Sequence, residues 1–479
     1  MKFKLLGSML AVALLAGCAT HSDIQSHAKL RTPSQFSEIP AEVQAGWQVQ
    51  AGYWKQFGDP QLDALVAEAL ADSPSLAAAD ARIRRAAALT DAAHSALLPQ
   101  LSGNADVMAQ RFTEHGMVSP TYAGKFRTND RLALDASIDL DLWGKYRRAL
   151  QGAEAGRKLA ELESVAARQA LAANVVRAYL EYDRLYKQRA LLEHLMALRM
   201  EAERLQSIRF QAGLDPEIDR NQLQQGTAQL RVDSAQLDER ISLQRGLLAA
   251  LAGKGPERGE QLSAPRLNDN LDAHLPSVLP SDLLAGRPDL LASRWRVEAA
   301  SADMDVARAQ FYPSVNLSAF AGYSSIGLEN LLKPGSQIYG IGPSIHLPIF
   351  EAGRLRAGLA MKVADYDAAV EQYNANLVDA LRDVSDQARS LTEAEHQGQL
   401  AETSLAASQR GVTLIETRAS KGLANKINVI SAQMAVVAQQ RVQTDLRAHR
   451  LDSAAGLMRA LGGGFAPDYN PYTLAASAQ

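Results

Sequence analysis

LALDASIDLDLW, residues 132–143, places Leu132, Leu134, Ala136, Ile138, Leu140 and Leu142 at every second position. Between them stand Asp135, Ser137, Asp139 and Asp141. A period of two sends the two sets to opposite faces of a strand, as in a membrane-crossing barrel strand of roughly ten residues. Three more stretches keep the same phase. Tyr339, Ile341, Ile345, Leu347 and Ile349 alternate with Gly340, Gly342, Ser344 and His346. Leu101, Ala105 and Val107 oppose Ser102, Asn104 and Asp106, and Val315, Leu317, Ala319 and Ala321 oppose Asn316, Ser318 and Gly322. The pattern predicts strands near 99–112, 127–143, 313–325 and 337–350. A soluble sheet with one wet face is the alternative. In the barrel reading Asp106, Asp135, Asp139 and Asp141 line the lumen and give it a weak cation preference, screened within about 8 Å.

Four strands cannot close a barrel in lipid, because bacterial barrels need at least about eight and an open edge leaves backbone groups unpaired. Several copies of the chain must therefore pool their strands. Two, three or four copies would give 8, 12 or 16 strands, and strand physics alone does not choose among them.

Each pair of strands leads into a long helix. Residues 146–209 and 351–419 contain no proline, and at 1.5 Å per residue each spans roughly 95–100 Å. The second carries an apolar stripe at Leu355, Leu359, Val363, Tyr366, Val370, Tyr373, Leu377, Leu381, Val384, Ala388 and Leu391. Its mean spacing of about 3.6 keeps it on one face, so the helix needs lateral neighbours. Gly213 and Gly422 end the long helices, and a returning helix follows each.

The whole arrangement is written twice. SPSLAAADAR (73–82) matches RPDLLASRWR (287–296), and ALLPQLSGNA (96–105) matches QFYPSVNLSA (310–319) at the same offset of 214. DLDLWGKYRRA (139–149) matches HLPIFEAGRLRA (346–357), and AGLDPEID (212–219) matches KGLANKIN (421–428). Ordered matches of this kind mark a duplicated unit. The expected divisions are a leader at 1–17, a lipidated tether and further segment at 18–58, and a first repeat at 59–252. An irregular segment at 253–286, a second repeat at 287–464 and a tail at 465–479 complete them.

The N-terminus reads as a targeting segment. Lys2 and Lys4 precede an apolar run from Leu5 to Ala16 that is short for a bilayer span. It ends in LAGC (15–18), which resembles a lipobox and implies acylation of Cys18, the one cysteine in the chain. Ala19 follows where an inner-membrane retention signal has Asp, so the outer membrane is expected. Residues 19–46 are polar and aperiodic and are expected to tether the lipid to the body. With 50 basic against 53 acidic residues, there is no excess positive charge to suggest a nucleic-acid partner.

Taken in order, YWKQFGDPQLDALV (53–66), DLDLWGKYRRA (139–149), LLAGRPDLLASRW (283–295), ARAQFYPSVNLSAFAG (307–322), LPIFEAGRLRA (347–357) and LGGGF (461–465) resemble the TolC-like outer-membrane efflux proteins, in the NodT-type lipoprotein branch. The resemblance implies an α+β membrane protein. Three copies would form a 12-stranded β-barrel, four strands per chain, continuous with a 12-helix periplasmic tunnel and a mixed equatorial domain. It implies a passive duct that docks through a periplasmic adaptor onto an inner-membrane efflux pump, in contact with outer-membrane lipids. The adaptor-gripped tips correspond to Ala212, Gly213 and Leu214 and to Lys421, Gly422 and Leu423. Lys421 departs from the apolar residue often found there. The acidic gate positions of the family correspond to Asn428 and Ser431, which does not support a carboxylate ring. Asp219 is expected to pair instead with Lys421, Lys426 or Arg220, so that replacing Asp219 and Lys426 would raise conductance.

Three rivals make different demands. A porin carries all its strands in one chain and lacks 60-residue helices. A coiled-coil scaffold or adhesin has no use for alternating strands. An enzyme would show a catalytic motif, but no GxSxG, HExxH or P-loop pattern occurs and the helical histidines His94, His194, His396 and His449 stand singly. No cofactor or metal is expected.

Overall fold

The computed structural model describes residues 23–32, 52–268 and 286–465. The chain order is α1 (Pro60–Asp72), α2 (Pro74–Ser95), β1 (Gln100–Arg111), β2 (Phe126–Leu140), α3 (Lys145–Gln211), α4 (Glu217–Leu251) and α5 (Pro256–Glu260). Then follow α6 (Pro288–Ala309), β3 (Ser314–Ile326), β4 (Gln337–His346), α7 (Arg354–Ser420) and α8 (Lys426–Ala460). The duplication shows in element lengths. α2 and α6 have 22 residues each, α3 and α7 have 67, and α4 and α8 have 35. No described helix is long and apolar enough to cross a membrane.

The chain divides into two compact units. The first holds residues 23–30, 82–161 and 292–374, and with them the whole sheet. The four strands form an antiparallel meander in the order β1-β2-β3-β4. Its register puts Leu101, Leu132, Leu134, Ala136, Val315, Leu317, Ile341 and Ile345 on one face, and Ser102, Asp106, Asp135, Asn316 and Ser344 on the other. Two strands end earlier than the alternation suggested. β2 stops at Leu140, because the Asp141 carboxylate turns to accept from the backbone N–H groups of Tyr146 and Arg147. β4 stops at His346, two residues before Pro348, which has no N–H for a ladder. Leu142, Leu347 and Ile349 therefore lie beyond the strands.

Hydrogen bonds just past the strand ends fix the ladder's phase. Phe112 N–H donates to Lys125 O, Gly327 N–H to Thr128 O and Ser324 N–H to Ser336 O. Because bonded and non-bonded pairs alternate in an antiparallel ladder, the even-numbered residues of β1 and β4 bond inward. The odd ones, Leu101 to Arg111 and Gln337 to Ile345, point their backbone groups outward from the sheet. Pro343, the one residue of β4 lacking a donor, is on this open edge, where a proline costs no ladder bond within the chain.

Beside the sheet, Met304, Ala307 and Phe311 of α6 pack on Leu355, Leu359 and Val363 of α7, joined by Ile24. Ile24 belongs to a strap, and here the structure corrects the tether reading for residues 23–30. Ile24, Ser26, Ala28 and Leu30 are half-buried while the residues between them are exposed. Ser26 Oγ–H donates to Asp367 at 2.5 Å, Asn374 Nδ2–H to Lys29 O at 3.0 Å, and Arg356 pairs with Asp23.

The second unit holds residues 31–32, 52–81, 162–268, 286–291 and 375–465. Its core packs Phe57, Leu62, Leu65 and Val66 against Val175, Val176, Tyr179, Tyr182 and Leu185 of α3, Leu248 of α4 and Leu451 of α8. The stretch GDPQ explains how α1 starts. Gly58 takes φ 68, Asp59 caps Gln61 N–H, and Pro60 opens the helix. The same Asp59 accepts from Tyr179 Oη at 2.6 Å and Arg266 N–H at 2.7 Å. Helices α3 and α8 are cross-linked by Arg177–Asp452, Arg184–Asp445 and Arg447–Asp183, the last at 2.6 Å with Asp183 buried. The predicted stripe on α7 is also the buried one, with Leu359, Val370, Leu377 and Leu391 at 1 % exposure or less.

Candidate functional site

The residues singled out from the sequence fall at two places, the polar face of the sheet and the two helix turns. Cys18 lies outside the described residues, as do the leader and most of the tail.

On the sheet, Asp106, Asp135 and Asp139 share the polar face. Asp141 does not belong with them, since it caps the start of α3 and pairs with Arg147 at 3.2 Å. The face is also less acidic than expected. Arg127 and Arg131 lie on it too, both in the part of β2 that precedes Leu132. Arg131 donates twice to Asp135, at 2.9 and 2.5 Å, and Asn104 Nδ2–H adds a bond of 2.7 Å. Asp139 accepts from Asn316 Nδ2 at 2.9 Å and Tyr146 Oη at 2.7 Å. Phe320 is the aromatic on this face that the alternation did not flag. Its ring sits under the Arg131 guanidinium, 6.0 Å away, and fills the space over Gly340, where a Cβ would come within 2.8 Å of the ring. Where β2 meets α3, Trp143 stacks on Tyr312 at 4.8 Å and donates its Nε1–H to Pro313 O at 2.8 Å. Both rings remain exposed.

The helix turns are backbone twins. Gly213 and Gly422 have φ 70 and 76. Leu214 N–H reaches back to Arg209 O at 2.9 Å and Leu423 N–H to Arg418 O at 2.9 Å. Gly213 and Gly422 bond to Phe210 O and Ala419 O. This is the Schellman closure, which calls for a left-handed residue just past the helix. Leu214 and Leu423 then stand out equally, each 66 % exposed. Ala212 and Lys421 are exposed beside them.

The pairing expected for Asp219 is not what the structure holds. Arg220 pairs with Glu217 at 3.0 Å and lies 4.5 Å over the Phe210 ring. Asp219 occupies the first turn of α4, its N–H bonded to Pro216 O, and joins no ion pair among the described residues. Lys426 is the first residue of α8, and it joins no ion pair with Asp219 among the described residues. Asn428 is committed to a capping box. Its side chain accepts from Asn425 N–H at 3.0 Å, and its own N–H donates to Asn425 Oδ1 at 2.9 Å. Ser431 is exposed one turn on. The carboxylate that does organise the first turn is Asp215, which binds Arg209 at 2.5 and 2.8 Å and Gln206 at 2.9 Å. The Arg209 bonds hold its carboxyl below the usual carboxylate range. Comparing AGLDPEID with KGLANKIN shows this residue as one that repeat two replaces, by Ala424.

The sequence pattern described as outer membrane efflux protein matches residues 65–254 and 279–463. Each segment contains one helix–strand–strand–helix–helix run. The chain belongs to this family. Among curated relatives it is 30 % identical over 472 residues to the multidrug resistance outer membrane protein MdtP of Shigella flexneri, covering 95 % of both chains. It is 35 % identical over 361 residues to the fusaric acid resistance protein FusA of Burkholderia cepacia, covering 74 % of this chain and 68 % of that one. Among solved structures, the outer membrane protein VceC of Vibrio cholerae superposes with a TM-score of 0.81 at 32 % identity, covering 88 % of this chain and all of that one. The CmeC outer membrane channel of Campylobacter jejuni shares the fold, with a TM-score of 0.83 at 22 % identity. An outer membrane efflux protein is a passive conduit located in the outer membrane, and it is not an enzyme.

Proposed function

We propose that three copies of this chain close one 12-stranded barrel, continuous with a tunnel of α3, α4, α7 and α8 helices, and that the assembly is the exit duct of a tripartite efflux pump. The observation that carries this is the pair of open sheet edges. The odd residues of β1 and β4 direct their backbone N–H and C=O groups away from the sheet, beside an apolar face on which Leu101, Ile341 and Ile345 are more than 70 % exposed. In hydrocarbon each unpaired backbone group costs several kcal/mol, and pairing β4 of one chain with β1 of the next satisfies both edges at once. Asp106, Asp135, Asp139, Arg131 and Phe320 then line the lumen. With Asp135 paired to Arg131 and Asp141 withdrawn, cation preference is weaker than four free aspartates would give.

The helix turns are the adaptor-docking end. Leu214 and Leu423 offer matched apolar contacts, and Lys421 and Arg418 add positive charge to the second. Cys18 carries the acyl anchor, and the inner-membrane pump supplies the energy. The cargo is a drug or other small molecule, as the names of MdtP and FusA suggest for those relatives.

Cysteine pairs across the proposed seam test this reading. Single cysteines are placed at odd positions of β1, such as Ala105, and of β4, such as Ile341. Oxidation of doubly substituted protein is expected to yield covalent rings of three chains on denaturing gels. Products that stop at two chains, or form ladders beyond three, would contradict closure.

A further inference from the structure

Asp130 breaks the pattern of the apolar sheet face. By register it shares that face with Thr128, Leu132 and Leu134, and it stands opposite Ser325 of β3 and Val107 of β1. Its neighbours there are open, with Leu132 at 42 % and Val107 at 62 %, yet Asp130 is 0 % exposed. The segment following β3 covers it. Gly327 N–H donates to Thr128 O at 2.8 Å and Leu328 N–H to Thr128 Oγ1 at 3.1 Å, which folds the 327–336 turn down onto β2. Thr128 passes its own hydroxyl proton to Asp130 Oδ2 at 2.8 Å. The other oxygen, Oδ1, is fully buried and has no hydrogen-bond partner.

A carboxylate taken out of water is normally paired with a cationic side chain or with a metal ion. No basic side chain pairs with Asp130 among the described residues, while Ser325 opposite it and Glu329 beside Gly327 bring oxygen groups to the same end of the sheet. Ser325 faces it across a bonded strand pair and gives its proton to Gly327 O at 3.0 Å, leaving its lone pairs free. Glu329 folds its carboxylate back against Gly327, into the space a Cβ would need, with Oε1 2.6 Å from that position. Gly327 itself has φ 91, which admits glycine readily and larger residues poorly.

We propose that this end of the sheet is a cation site, in which Asp130 Oδ1, Ser325 Oγ and the Glu329 carboxylate turn to hold one hard divalent cation of the calcium class and fasten the 327–336 turn to the sheet. The donors are all oxygen. Neither His nor Cys stands among these donors, which suits a hard cation rather than a transition metal. Two carboxylates with hydroxyl, carbonyl and solvent oxygens suit calcium at the weak affinities of extracellular modules, about 0.1–1 mM. The site lies within one chain, so it stands or falls independently of the assembly proposed above.

Terbium is the probe. Tyr323 lies on the same face two residues from Ser325 and can sensitise its emission. Titrating the full-length protein in detergent with terbium is expected to give saturable emission that calcium displaces. Asp130→Asn is expected to abolish it. Glu329→Gln, on the exposed turn where folding is not at risk, removes one of the two carboxylate ligands and is expected to weaken it about tenfold or more. Saturable emission unchanged in both variants, or none in the parent protein, would overturn the proposal. If Asp130→Asn fails to fold, Glu329→Gln decides alone.

Discussion

The first and second repeats have one skeleton and two chemistries. Their helices agree residue for residue in length, and Gly213 and Gly422 close their turns with the same backbone bonds. The side chains diverge at corresponding positions. Where repeat one has Ser73, repeat two has Arg287. Where the first turn has Asp215 and Pro216, the second has Ala424 and Asn425. Arg209 and Arg418 correspond, but only Arg209 keeps a carboxylate partner among the described ion pairs. Duplication thus preserves what the backbone needs and frees the charges. A duct with six such turns can offer a partner two alternating surfaces without changing its frame.

The largest expected effect separates Arg287 from Ser73. Arg287 is buried, pairs with Asp289 and Asp383, and donates to Ala460 O at the end of α8, while Arg459 also binds Asp383. Asp383 keeps Arg459 and Asp289 is half exposed, so the loss is that of the charged hydrogen bonds and of the donor to Ala460 O, about 2–3 kcal/mol. Ser73 makes one hydroxyl contact, with Ser75 at 2.8 Å, and Ser73→Ala should cost about 1 kcal/mol or less. Thermal unfolding of Arg287→Ala and Ser73→Ala in detergent measures the gap. Equal midpoints would mean that the buried cluster does not stabilise the unit.

Next come the turn glycines, where the repeats should behave alike. A Cβ at Gly213 or Gly422 meets nothing within 4 Å, so the cost of alanine is the left-handed φ alone, about 1–2 kcal/mol. Hydrogen exchange at the two turns should loosen equally in Gly213→Ala and Gly422→Ala. A difference would show that the turns are not conformational twins.

Smaller effects should split the turns again. Asn425→Ala removes a helix cap worth about 1 kcal/mol, whereas Pro216→Ala at the matching position removes no side-chain cap. Asp215 gives the first turn a pH dependence that the second lacks. Its carboxyl lies below its ordinary value, near 3.9 unfolded, because Arg209 donates to it. The contribution is therefore full above the unfolded value and is lost as pH falls through the lower folded one. Exchange protection at the first turn should be flat from pH 7 to pH 5 and fall only below about pH 4. Loss between pH 6 and pH 5 would contradict the Arg209 clasp. Last, Ala at Asp219 and Lys426 should leave conductance unchanged, since neither joins the other in the structure. A rise would restore the gate read from the sequence.

Much of this fold was legible in the sequence because periodicity is a local property. The two-residue alternation found all four strands, and the 3.6-residue stripe on α7 named the helix face that is buried. Strand ends were misjudged where a side chain competed with the ladder, as Asp141 does by capping α3. Arg131 stands just before the clear alternation that begins at Leu132, so in sequence Asp135 shows as free acid although Arg131 neutralises it. The pairing of Asp219 failed because proximity in sequence does not say which way a turn's charges point. Phe210 and Glu217 claim Arg220 first. Asp130 shows the opposite limit, since an aspartate in an apolar phase is visible in sequence but the turn that buries it is not. The docked strap at 23–30 lacked a signal because its alternation rests on small residues such as Ser26 and Ala28.

Closure of the barrel requires that the outer edges of β1 and β4 be paired by other copies of the chain. Native mass spectrometry of the acylated protein released from detergent measures this directly. The account predicts a single species of three chain masses that persists at low concentration. A monomer that keeps its sheet signal by circular dichroism, with no three-chain species, would contradict it.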